Sequence, residues 1–197
     1  SVVFAIAWMW FVERATLSFG RLTPKIVPLL DPYFWFHERT WKLTGLWYIA
    51  PVFAGTPIKN FITRLQGVRL GRKVFDDGAY FDEYTLLEIG DFTNLNSNCV
   101  IQPHSLEESV FKSDYVKIGT GCTLGCAANI HYGVTIGDRV VLESNSFVMK
   151  GEIMEPRAVW RGNPARSAGF GAASNSQGGP PQTTIPASSP RPAEIAD

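Results

Sequence analysis

From Ile118 onward a bulky aliphatic or aromatic side chain returns at every sixth residue: Ile118, Leu124, Ile130, Ile136, Leu142, Val148, Met154 and Trp160. The residue four places after each is usually small or β-branched (Cys122, Ala128, Val134, Val140, Ser146, Ala158), and glycine follows at Gly119, Gly125 and Gly137. The frame runs backward through Ile101, Leu95 and Ile89, and an earlier copy, Leu70 to Phe75, joins it after a one-residue slip near Glu88. A period of six predicts a parallel β-helix, in which six residues make one short side, three sides complete a coil, and coils stack. An ordinary sandwich would alternate with period two and turn every eight to twelve residues, which this stretch does not do.

Around the repeat the composition changes. The chain has 197 residues, 18% of them charged, and no net charge, which disfavours a nucleic-acid binder held by phosphate contacts. Three cysteines without zinc-ligand spacing imply a reducing compartment and no structural metal. Cys99 and Cys122 fall on inward, small-residue places of the repeat, and Cys126 is not expected to be a nucleophile. Residues 1–14 open with an uncharged apolar run and are expected to be the end of a membrane helix, with Arg14, Arg21 and Lys25 favouring a cytoplasmic location for the rest of the chain. Residues 15–67 are expected to hold interfacial or connecting helices. One, opened by Asp31-Pro32, is rich in aromatic residues; the other is capped by Thr56, started by Pro57 and stopped by Gly67. The apolar face of the second, Ile58, Phe61, Ile62 and Leu65, is expected to cover the open end of the coils. Residues 68–166 form the repeat, and the Ala, Ser, Pro and Gly-rich stretch 167–197 reads as a disordered tail.

The repeat resembles that of the left-handed β-helix acyltransferases, whose hexapeptides begin with an aliphatic residue and Gly and carry a small residue at the fifth place, and Val159 to Arg166 resembles their closing segment. The handedness is implied by that resemblance, since right-handed crossovers are the general rule. A narrower likeness rests on Asp31 to Arg39, Gly55 to Lys59, Val74 to Gly78, His104 to Glu107 and His131 to Thr135. These segments resemble the C-terminal region of nonribosomal peptide synthetases of the poly-ε-lysine type, in which membrane helices alternate with three acetyltransferase-like domains. The resemblance implies a mainly β chain that condenses an aminoacyl thioester with an amine.

The repeat serves as a ruler. Taking Glu107 to Lys117 as a loop extruded from a corner, Ile101 and Ile130 are one turn apart and stack, so His104 and His131 share one side of the prism. One coil earlier the same side carries Asp82 to Thr85, which places Glu83 in the column of Gln102 and His131. An imidazole can take the proton of an attacking amine, and a carboxylate can hold it in one tautomer. His104 is the first choice for that base, His131 the second, and Glu83 the carboxylate; the extruded loop would exclude water.

By the resemblance, the donor is a phosphopantetheine-linked acyl group, carrier-bound or on coenzyme A, whose phosphates meet Lys150, Arg161 and Arg166. The partners are then a carrier domain, the amine, sibling β-helix domains in a trimer or pseudo-trimer, and the membrane through the N-terminus. Two other readings stand: a non-catalytic scaffold copy, and a coenzyme A-dependent O-acyltransferase. At Glu152, which takes a small-residue place, a bulge or frame shift near Lys150-Gly151 is expected.

Overall fold

The computed structural model describes residues 2–16, 20–35, 37 and 50–171. The stretches 36 and 38–49, with most of the aromatic segment, and 172–197, with most of the proposed tail, lie outside the described residues. Ahead of the repeat come α1 (Val2–Thr16), β1 (Lys25–Pro28), a short helical turn over 32–35, a 3-10 turn (Ala50–Phe53) and α2 (Pro57–Gln66).

The repeat folds as three walls of parallel two- or three-residue strands. The first wall is β2 (Arg69–Leu70), β5 (Leu87–Ile89), β10 (Val116–Ile118), β13 (Thr135–Ile136) and β16 (Ile153–Met154). The second is β3 (Phe75–Asp76), β6 (Asn94–Leu95), β11 (Thr123–Leu124), β14 (Val141–Leu142) and β17 (Ala158–Arg161), with β18 (Arg166–Phe170) added antiparallel. The third is β4 (Tyr80–Phe81), β7 (Val100–Ile101), β12 (Asn129–Ile130) and β15 (Phe147–Val148). Leu95, Ile101, Leu124, Ile130, Leu142 and Val148 fill the axis with no exposed surface. Each such side chain contributes about 1.5–3 kcal/mol of burial, and this stacked column supplies the core.

The six-residue frame holds from Ile89 to Ile101 and from Ile118 to Trp160, and the ruler's register of Ile130 on Ile101 is the one observed. Earlier the frame differs from the expected single slip. Asp76 pairs with Leu95 but Phe81 pairs with Ile101, so the side between them is one residue short, and a 3-10 turn (Tyr84–Leu86) then takes up two extra residues before Ile89. No shift occurs at Glu152: Thr135 pairs with Ile153 and Ile136 with Met154 in frame, and the Glu152 carboxylate lies 3.5 Å from Arg166. The closing strand β18 carries ordered chain past residue 166 to Phe170.

The corner insertion is a β-hairpin, β8 (His104–Glu107) and β9 (Val110–Ser113), to which β1 adds an antiparallel third strand. Asp114 N donates to Pro103 O at 3.1 Å and closes its root, so the arm begins at His104 rather than Glu107.

Helix α2 does sit on the open end of the coils, with Gly67 in the left-handed region (φ 111°) ending it, but with the opposite face from the one expected. Ile58 and Phe61 are exposed, while Lys59, Asn60, Thr63 and Gln66 are buried. The first coil has no coil beneath it to take its carbonyls, and polar side chains answer that need. Asn60 donates to Val74 O at 2.6 Å, Arg64 Nε to Leu70 O at 3.0 Å, and Lys59 to Ala79 O at 3.3 Å and to Asp76 at 2.7 Å. Ile62 packs instead with Ile6 of α1 and Phe53. Helix α1 has 15 residues, and no helix among the described residues is long and apolar enough to cross a membrane.

Candidate active site

Along the third wall Phe81, Ile101, Ile130 and Val148 stack inward, so the next residue of each side turns outward. Backbone bonds lock this row: Asp82 N donates to Ile101 O (3.1 Å), Gln102 N to Ile130 O (2.9 Å) and His131 N to Val148 O (3.2 Å). Asp82, not Glu83, therefore occupies the column of Gln102 and His131, because the short side before Phe81 advances the register by one.

Glu83 reaches the site by another route. Its backbone is left-handed (φ 33°, ψ 58°), an uncommon state for a residue with a side chain, and Leu86 N donates to its carbonyl at 2.8 Å to form the 3-10 turn. That turn carries the side chain beside the root of the arm, with only 2% of it exposed. His104, first residue of β8, donates from Nδ1 to Glu83, 2.7 Å from Oε1 and 2.8 Å from Oε2. With Nδ1 donating to the carboxylate, Nε2 carries the lone pair, the position at which an imidazole exchanges a substrate proton, and it accepts from the Gln102 amide nitrogen at 3.2 Å.

A third member comes from ahead of the repeat. His37 Nε2 lies 3.0 Å from Glu83 Oε1, its ring 4.6 Å from that of Phe111 on the arm. The Asp31-Pro32 turn positions it: Tyr33 N donates to the Asp31 side chain at 2.7 Å, and Lys25 lies over the Tyr33 ring. His37 lies ahead of the repeat, where counting in sixes does not reach. Its signal was membership of the Asp31 to Arg39 segment that carried the narrower resemblance.

Electrostatics follow from this packing. Burial pushes the Glu83 carboxyl up, but hydrogen bonds from His104 and His37 together with their charges outweigh it, and the group titrates below the ordinary value. Asp82 is pushed up to about 6, first by burial and then by Glu83. His131 titrates low, mainly through burial, opposed by Glu107.

His131 shares the row but not the hydrogen-bonded cluster; its ring packs edge-on against Phe147 at 4.8 Å. Lys150 is held at 2.6 and 2.7 Å by both oxygens of Glu107, near the tip of the arm, where Lys112 also donates at 3.0 Å. Arg161 and Arg166 stand on β17 and β18, on the second wall, away from the His104 cluster. Cys99 and Cys122 are fully buried, and burial pushes the Cys99 thiol up to about 12.

Six-residue sides in three walls, with an arm at one corner, define a parallel β-helix, a fold this chain shares with hexapeptide-repeat acetyltransferases. Galactoside acetyltransferase, solved in complex with coenzyme A, shares this fold with a TM-score of 0.56 and 18% identity over 74% of this chain and 86% of that one. A hexapeptide-repeat acetyltransferase of Vibrio cholerae shares it with a TM-score of 0.50 and 18% identity over 84% and 92%. In sequence the chain resembles a poly-amino-acid synthetase: it is 30% identical over 152 residues to the delta-poly-L-ornithine synthetase of Acinetobacter baumannii (strain AB307-0294). The match covers 74% of this chain and 11% of that protein. No protein-family model matches the chain.

Proposed function

We propose that this chain is an acyltransferase domain that condenses an aminoacyl thioester with an amine, within a nonribosomal peptide synthetase of the poly-amino-acid type. The observation that carries the reading is His104 Nδ1 bonded to a buried Glu83 at 2.7 Å, an imidazole held in one tautomer at the root of the arm. The similarity to a delta-poly-L-ornithine synthetase supports an amine as acceptor.

In this mechanism the amine nitrogen attacks the thioester carbonyl carbon while His104 Nε2 accepts the proton that nitrogen sheds. The C–S bond breaks as the tetrahedral intermediate collapses, and the protonated imidazole returns its proton to the leaving thiolate, giving amide and free thiol. Glu83 stabilises the transient imidazolium, and its low titration keeps it a carboxylate throughout. Gln102, touching the imidazole, orients the incoming nitrogen; His131, further along the row, lines the acceptor path and stays neutral.

The donor is a phosphopantetheine thioester, carrier-bound or on coenzyme A. Arg161 and Arg166 on the last coil would meet its phosphates, whereas Lys150 is committed to Glu107 and serves chiefly to hold the arm. Sibling β-helix domains would complete the site as a trimer or pseudo-trimer of left-handed prisms. The exposed apolar side chains of α1, among them Val3, Phe4 and Trp8, would meet the membrane, with the β-helix on its cytoplasmic side.

His104→Ala in the parent synthetase tests the catalytic role: product formation should fall on the order of a hundredfold or more, and full activity would mean a scaffold copy. Presenting a carrier-bound aminoacyl thioester or acetyl-coenzyme A, each with amine or sugar acceptors, tests the substrate class. Amide from the carrier-bound donor is expected; ester from acetyl-coenzyme A alone would overturn it.

A further inference from the structure

We propose that His37 is a positioning residue for acyl transfer, donating a second hydrogen bond to Glu83 and so fixing the carboxylate that sets the tautomer and basicity of His104. The inference rests on the reading of His104 as the base, and it assigns a role to a segment the repeat does not contain.

The geometry is that of one carboxylate shared by two imidazoles. Glu83 Oε1 is 2.7 Å from His104 Nδ1 and 3.0 Å from His37 Nε2, and the Glu83 and His37 side chains are only 2% and 6% exposed. The His37 ring is held by packing as well, 4.6 Å from Phe111, 6.4 Å from Tyr33 and edge-on to His104 at 6.2 Å. Its other nitrogen, Nδ1, is buried without a hydrogen-bond partner among the described residues. A buried ring nitrogen left unpaired is costly, and a phenylalanine would fill such an aromatic slot without that cost. An imidazole here is accounted for by what its Nε2–H does to Glu83.

Two donors divide the carboxylate's hydrogen-bonding capacity. Without His37, the whole of it falls on His104, the negative charge is less compensated, and the imidazolium form of His104 is favoured. Less of the free base then remains at neutral pH. Among the described residues, the other groups facing the cluster are Asp82 on the same turn, Tyr33 from the His37 segment, and His131 on the next coil with Glu107 and Lys150 behind it. Substitutions at His37 leave all of these in place.

The test compares His37→Phe, which keeps the packing and removes the donor, with His37→Gln, whose amide can donate to the same oxygen. Where the Phe variant does not fold, His37→Leu replaces it. In the full chain, the titration of the His104 ring protons is followed by NMR, and kcat and KM for acyl transfer are measured against pH. The donor-less variant should shift the His104 midpoint upward by about one pH unit and lower kcat at neutral pH by about threefold through the smaller free-base fraction. The KM for the acyl donor should stay within about twofold, and Gln should restore both quantities. An unmoved midpoint in the donor-less variant, or a Gln variant no nearer wild type than Phe, would overturn the inference. If the midpoint moves as expected but His104→Ala keeps full activity, the role of His37 toward His104 stands and the catalytic reading fails.

Discussion

At the scale of single residues, the site is a contest between burial and pairing. Glu83 is deeply buried yet stays ionised because two imidazoles donate to it, while Asp82, one residue earlier, has no such donors among the described residues and is pushed up to about 6 by burial and by Glu83. A carboxyl raised above its unfolded value of 3.8 binds more protons in the folded chain, so its stability contribution is present at low pH and lost as pH rises through about 6. Asp82→Asn should therefore raise the melting temperature near about pH 7.5 by about 2–4 °C and leave it unchanged near about pH 3.5, as thermal melts at the two pH values would show. His131 works in the opposite direction. Its lowered titration means that the folded chain prefers the neutral ring, and stability is lost as pH falls below the unfolded value of 6.5. His131→Phe should flatten that acid-side loss in a series of melts between about pH 7 and about pH 5. His131 and Gln102 are legible as one row because the frame resumes in register once the arm between Ile101 and Ile118 is discounted. It misplaced Glu83 by one column because the preceding side is a residue short, and a left-handed turn restored the carboxylate to His104 by a path no periodicity encodes.

Elements show the same division between what repeats and what does not. The glycines that follow some of the repeat residues, Gly119, Gly125 and Gly137, were legible, and their reason is contact. A Cβ on Gly90 would lie 2.6 Å from the Gly119 carbonyl carbon in the next coil and 2.7 Å from its oxygen. Gly90→Ala should destabilise the coil stack by about 1–3 kcal/mol, measured by denaturant unfolding. The capping helix was legible in its limits but not in its orientation. Its apolar periodicity pointed Ile58 and Phe61 at the coils, whereas the open carbonyls of the first coil require donors, and Lys59, Asn60 and Arg64 provide them. Lys59→Met would leave Asp76 buried without its cation and should cost about 3–5 kcal/mol. Pairing it with Asp76→Asn should recover much of that loss, a comparison the same unfolding assay can make.

Across the whole molecule, the β-helix supplies rigid rows and the parts outside the repeat make them chemical. The core column and coil register could be read by counting in sixes, since stacking rewards an identical residue at each level. The hairpin arm, its third strand from Lys25–Pro28 and the arrival of His37 depend on contacts between segments far apart in the chain, which a local period does not carry. The site therefore joins three regions: Glu83 from an irregular turn, His104 from the root of the arm, and His37 from the segment before the repeat. The central claim is that this assembly makes His104 the base for amide formation. Single-turnover amide synthesis from a loaded aminoacyl thioester, followed from about pH 5 to about pH 9 in wild type and His104→Ala, tests it most directly. The account predicts a wild-type rate that rises through one imidazole titration, and an Ala variant on the order of a hundredfold slower without that limb. An Ala variant that keeps both the rate and the limb would contradict it.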